Sequence, residues 1–130
     1  MENTKVVNVR VKYIRPEYKN LKAWCEDENN VYIARRGVVL IDKKRYPLRD
    51  SPFANPYKVG RDGSREEVIE KYRERIQQKI KDDEINIEQL QSLVGKNLGC
   101  WCAPKYCHGD VLLEIIRNAE SSRPLIHCEK

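Results

Sequence analysis

Cys100, Cys102, Cys107 and His108 fall within nine residues of one another, and Gly109 and Asp110 follow at once. Three thiols and an imidazole are enough in number to hold zinc. The spacing is less suitable: structural zinc favours Cys-x-x-Cys knuckles, and adjacent ligands such as Cys107 and His108 seldom converge on one ion. No metal cofactor is therefore expected, with zinc at Cys100, Cys102, Cys107 and His108 as the alternative. On a strand, Cys100 and Cys102 point to one face and Trp101 to the other. The plainer reading makes both thiols small buried apolar side chains of a core strand. A second chemistry is nucleophilic. A thiol at a helix start can lose its proton more readily, so Cys107 with His108 as base and Asp110 as orienter has the parts of a cysteine nucleophile. Asp110 has an equally plain reading as a first-turn helix residue. A zinc deaminase is excluded, because no His-x-Glu precedes a Pro-Cys-x-x-Cys pair.

A second segment, Asp50 to Ser64, joins Pro52 and Pro56, which stiffen a loop, to Gly60 and Gly63, which permit tight turns or close ligand approach. It runs into a helix start where free amides stand beside Lys58 and Arg61, the composition of an anion site. Asn55, Lys58, Arg61 and Ser64 are candidate phosphate contacts, and Phe53 and Tyr57 could stack on a base. The alternative is a self-packed loop in which Ser64 satisfies the amides unaided. A third and weaker pattern, Trp24-Cys25 with Arg35-Arg36, is compatible with single-stranded nucleic acid.

The charge distribution agrees with an anionic partner. Net charge is +5, yet residues 35–61 alone carry eight basic and two acidic residues, a net +6. Concentrated positive charge suits a nucleotide, nucleic acid or acidic protein, and equally a solvated basic face that maintains solubility. The chain has 130 residues, 40% of them hydrophobic and 35% charged, which fits one domain, 1–130, with one core. No apolar run reaches the roughly 20 residues that span a bilayer, and Met1-Glu2-Asn3-Thr4-Lys5 lacks the apolar stretch of a secretory leader. Five cysteines, an odd number, fit free thiols of a reducing compartment better than a disulfide framework. The expected location is cytoplasmic, with no membrane partner; homo-oligomerisation is left open.

These residues need elements to position them. Val7 to Tyr13 alternates like a half-buried strand, ended at Arg15-Pro16, and residues 17–30 read as polar connection. Val31–Ala34 and Val38–Ile41, split by Arg35-Arg36-Gly37, read as a hairpin. Lys43 to Gly63 reads as an ordered loop. Ser64-Arg65-Glu66-Glu67 is a capping box opening a helix with Val68, Ile69, Tyr72, Ile76 and Ile80 along one stripe. Asn86 with Gln89 opens a shorter helix through Ile87, Leu90, Leu93 and Val94, stopped by Gly95. Leu98–Cys102 reads as a buried strand. A last helix starts near His108-Gly109-Asp110 and buries Val111, Leu112, Ile115, Ile116 and Ala119, and the tail from Ser121 reads as loop. The order points to an α/β (α+β) domain with a mixed sheet of about four strands and about three helices.

Three segments together resemble one family: Ser51-Pro52-Phe53-Ala54-Asn55-Pro56-Tyr57, the run from Gly60 to Ile69, and the run from Gly99 to Leu112. It is the family catalogued as domain of unknown function forty-three twenty-six, of phages, bacteria and large DNA viruses. The resemblance covers residues 31–118 as a family-like core and leaves 1–30 and 119–130 as lineage-specific ends. It implies a small α/β domain and no established activity. It also implies a viral source, hence a virion or the cytoplasm of an infected cell. Three functions follow as expectations: a binding domain for a nucleotide, nucleic acid or other phosphate-bearing ligand; a Cys/His/Asp enzyme on a nucleotide-like substrate; or a basic structural or packaging protein of a virus particle.

Overall fold

The computed structural model describes residues 4–103 and 105–128, with side chains described through residue 118. In chain order the elements are β1 (Lys5–Asn8), α1 (Val11–Ile14), α2 (Leu21–Glu26), β2 (Asn30–Tyr32), β3 (Val39–Ile41), β4 (Lys44–Tyr46), α3 (Arg65–Lys81), α4 (Ile87–Gln91), β5 (Asn97–Cys100) and α5 (His108–Cys128). The α+β class is as expected. The strands, however, divide into two sheets: a parallel one ordered β1-β5-β2 and an antiparallel pair β3-β4. Five helices, rather than three, surround them among the described residues.

The last strand in sequence lies at the centre of the parallel sheet. Leu98 pairs with Val6 on one side and Val31 on the other, and Gly99 pairs with Val7 and Tyr32. Alternation sends successive side chains to opposite faces. Val6, Val31, Ile33, Leu98 and Cys100 join the core under α3 and α5, with Val68, Ile69, Tyr72, Val111 and Leu112. Val7, Val9 and Tyr32 join a second core with Ile14, Leu21 and Trp24 from α1 and α2. The domain is thus three layers, helix–sheet–helix. Arg73 fastens two of the helices, donating from Nη1 to the Glu114 carboxylate and from Nη2 to the Tyr106 hydroxyl at 3.1 Å.

Several local expectations are corrected. The first strand ends at Asn8 rather than continuing to Tyr13. The Asn8 Oδ1 accepts from the Arg10 amide at 3.0 Å, turning the chain into α1. Residues 17–30 contain a helix, α2, because Asn20 caps it by accepting from the Ala23 amide at 3.0 Å while Leu21 and Trp24 bury its inner side. The segments around Arg35-Arg36-Gly37 do not form a hairpin with each other. The first pairs with β5, and the second turns at Asp42-Lys43 to pair with Lys44–Tyr46 inside the supposed loop. Both turn residues have positive φ, 52° and 68°, as a tight antiparallel turn requires. The last strand stops at Cys100, and the final helix continues to Cys128 through the stretch read as loop. Pro104, and the side chain of Ala119, lie outside the described residues.

Candidate functional site

In an open parallel sheet, ligands bind beyond the carboxyl ends of the strands. Here β1, β5 and β2 all end on one side, and a cleft of about 400 Å³ opens there. Its buried residues are Ala34 after β2, Val68 and Ile69 from α3, Cys100 from β5, Cys107 just before α5 and His108 at its start. Arg35, Lys58 and Val59 line its exposed rim, with the half-buried Asn55, Tyr57, Arg65, Trp101 and Cys102 between.

Each strand end holds the loop that completes the cleft. The Asn8 amide group donates to the carbonyls of Ala103 at 2.9 Å and Trp101 at 3.3 Å, fixing the turn after β5. The Trp101 Nε1–H donates to the Tyr32 hydroxyl at 2.9 Å, which donates in turn to the Arg35 carbonyl at 2.7 Å. That chain ties the loop after β2 to the loop after β5. From the other side, the buried Tyr72 hydroxyl donates to the Phe53 carbonyl at 2.7 Å and anchors the Pro-rich loop to α3.

Of the candidate ligand contacts, the fold brings Asn55, Tyr57 and Lys58 to the cleft and leaves Phe53, Arg61 and Ser64 out of its lining. Phe53 is 5% exposed and belongs to the core, so it offers no stacking face. Arg61 is occupied: its Nε and Nη2 donate to Asp62 Oδ2 at 3.0 and 2.7 Å, and Nη2 also donates to the Pro56 carbonyl at 3.1 Å. Hydrogen bonding to Arg61 holds the Asp62 carboxyl below its usual range. The Ser64 hydroxyl accepts from the Glu67 amide at 3.2 Å, and the Glu67 carboxylate accepts from the Ser64 amide at 2.7 Å, so a side chain of the protein already serves that helix start. Trp24 is 3% exposed and is a core residue rather than a stacking platform for nucleic acid.

The candidate Cys107–His108–Asp110 relay is not aligned. His108 Nε2 bonds the Ile33 carbonyl at 2.7 Å, which makes it the protonated nitrogen, and burial pushes the imidazole pKa down. Asp110 accepts from the Cys107 amide at 2.9 Å and holds the start of α5. The Cys107 sulfur lies 3.5 Å from that of Cys100. Among the described residues, no group of three or more His, Cys, Asp or Glu side chains is arranged to hold a metal ion.

What converges instead is positive charge. Among the described residues, Arg35, Lys58 and Arg65 line the cleft, no carboxylate does, and none of the three takes part in an ion pair. Among the described residues, Arg65 donates to the Tyr106 carbonyl at 3.2 Å. Residue type and spacing do not single out Arg65 as a ligand contact, and they pair Arg35 with Trp24-Cys25 rather than with this cleft. The signal for Arg35 is its place just after a parallel strand, which needs the β2–β5 pairing to be known.

Among the described residues, no helix is long and apolar enough to cross a membrane. The model of the family described as Domain of unknown function (DUF4326) matches residues 16–118, a span that takes in α2 as well as the cleft. The chain is 46% identical over 59 residues to an uncharacterised 12.4 kDa protein from the nrdA-td intergenic region of Enterobacteria phage T4, covering 45% of this chain and 55% of that one. It is 31% identical over 99 residues to an uncharacterised protein of Acanthamoeba polyphaga mimivirus, covering 70% of this chain and 69% of that one. The chain thus spans about half the length of the phage relative and about two thirds of the mimivirus one. No solved structure matches.

Proposed function

The chain belongs to the DUF4326 family, and from that premise we propose that its cleft binds a small phosphate-bearing ligand of mononucleotide size. The observation that carries this reading is that, among the described residues, three cations without an ion-pair partner, Arg35, Lys58 and Arg65, line a cleft that no carboxylate lines. Without a carboxylate to compete, an anion entering there gains charge-assisted hydrogen bonds from guanidinium and ammonium donors. A volume of about 400 Å³ lies within the range of small-ligand sites. Tyr57 and Trp101 add aromatic surface against which a base can lie.

The test is ligand-dependent thermal stability, measured with inorganic phosphate, a nucleoside and the matching nucleoside monophosphate. A ligand that binds only the folded state raises the melting temperature by mass action. The monophosphate is expected to shift it most and the nucleoside least. Lys58→Ala and Arg65→Ala should each lose most of the shift. Arg61→Ala should keep it, because that guanidinium is held by Asp62 away from the cleft. Equal shifts for nucleoside and monophosphate, or loss of the shift in Arg61→Ala alone, would overturn this reading.

A further inference from the structure

Cys100 ends the central strand, Cys107 stands just before α5, and their sulfurs lie 3.5 Å apart where both residues border the cleft. Donors gather on Cys100. Either thiol can donate across that gap, and the amides of Cys102 and Ala103 favour negative charge on the Cys100 sulfur. Among the described residues, the Gly109 amide acts in the same sense on Cys107. Hydrogen-bond donors favour the charged form of an acid, so two amides at Cys100 against one at Cys107 favour the thiolate at Cys100. The Cys100 pKa is accordingly lowered, chiefly by the Cys107 thiol, and that of Cys107 is raised. This reverses the roles expected from Cys107 at a helix start.

We propose that Cys100 and Cys107 are a redox-active dithiol, in which Cys100 is the attacking sulfur for a small hydroperoxide entering the cleft and Cys107 is the resolving thiol. Cys100 and Cys107 are 1% and 3% exposed, so the oxidant must be small and must arrive through the cleft. The Cys100 thiolate attacks the terminal peroxide oxygen. The O–O bond breaks, the alkoxide leaves and takes a proton from water, and a sulfenic acid forms on Cys100. The Cys107 sulfur then attacks that sulfur. The S–O bond breaks, and the hydroxide leaves as water with the Cys107 proton. The two thiols together lose two electrons, which reduce the peroxide to an alcohol and water. This dithiol chemistry does not depend on the phosphate ligand.

The full chain is treated with about one equivalent of hydrogen peroxide, blocked with an alkylating reagent under denaturing conditions, and mapped by peptide mass. The expected result is a Cys100–Cys107 linked peptide, two hydrogens lighter than the sum of its parts and restored by dithiothreitol. Oxidation should slow as pH falls and the attacking thiolate takes up a proton. In Cys107→Ser the reaction should stop at a sulfenic acid on Cys100, trapped by dimedone. In Cys100→Ser, Cys107 should be recovered unoxidised. Should either variant fail to fold, the wild-type map decides by itself. Recovery of Cys100 and Cys107 as alkylated thiols while Cys25 or Cys102 is oxidised, or a link from Cys100 to Cys102, would overturn the proposal.

Discussion

His108 carries a cost that depends on pH. Its ring is buried against Tyr72, with centroids 5.1 Å apart, and its Nε2–H is committed to the Ile33 carbonyl. Burial, the largest influence, and then the Arg35 charge lower its pKa, while the Ile33 bond and Asp110 act in the opposite direction. In the unfolded chain the same imidazole titrates near 6.5, so at lower pH the unfolded state binds a proton that the folded state resists. Stability from this group is complete above about 6.5 and declines as pH falls below it. Asp27, Asp62 and Glu67 also have lowered pKa values, but carboxylates lose their contribution only around pH 4 and below. Urea midpoints between pH 6.5 and 5 should therefore fall for the wild type and fall less for His108→Gln. Parallel slopes would show that His108 takes up its proton as readily folded as unfolded.

At the scale of elements, the separation between sheet and α2 is set by one missing methyl. A Cβ on Gly99 would stand 2.4 Å from Trp24 Cη2 and 2.7 Å from Val9 Cγ1. Both neighbours are buried, so neither can swing into solvent. Gly99→Ala should cost about 1–3 kcal/mol by overpacking. Combined with Trp24→Phe it should cost less than the two changes summed, because the smaller ring removes the clash. Additive denaturation energies would argue against the contact. The same elements show what the sequence carries. Ser64 with Glu67 and Asn86 with Gln89 are legible because a capping box is local chemistry spanning four residues, and both boxes form. The β2–β5 pairing, Val31 to Leu98, is not legible, because nothing near either residue encodes a partner so distant in the chain. The β3–β4 turn is hidden because Asp42-Lys43 lacks the glycine that usually marks positive φ. Half the cleft is legible: residue type alone points to the Asn55–Lys58 loop and to Cys107-His108. Arg35 and Arg65 reach the cleft only through pairing and packing.

At the scale of the molecule, the positive charge of residues 35–61 divides between residues that line the cleft and residues that do not. Arg35 and Lys58 line the cleft, whereas Lys43 and Lys44 sit exposed at the β3–β4 turn and do not. The two groups should answer to different anions. A mononucleotide needs the cations around the cleft, while a nucleic-acid backbone can lie along those at the β3–β4 turn. Lys43→Asn with Lys44→Gln removes two charges, and asparagine tolerates the left-handed backbone that Lys43 adopts. This double variant should keep the mononucleotide-dependent rise in melting temperature and weaken binding to an oligonucleotide. Its plot of log affinity against log salt should also be shallower, by roughly 0.7–0.9 for each phosphate that is no longer neutralised. Lys58→Ala should do the reverse, losing the mononucleotide and leaving the oligonucleotide salt slope nearly unchanged. If Lys58→Ala alone abolished oligonucleotide binding, the nucleic acid would be threading the cleft itself and the two groups would not be separate. If neither variant altered oligonucleotide binding at low salt, the basic turn would be a solubilising face with no anionic polymer as partner.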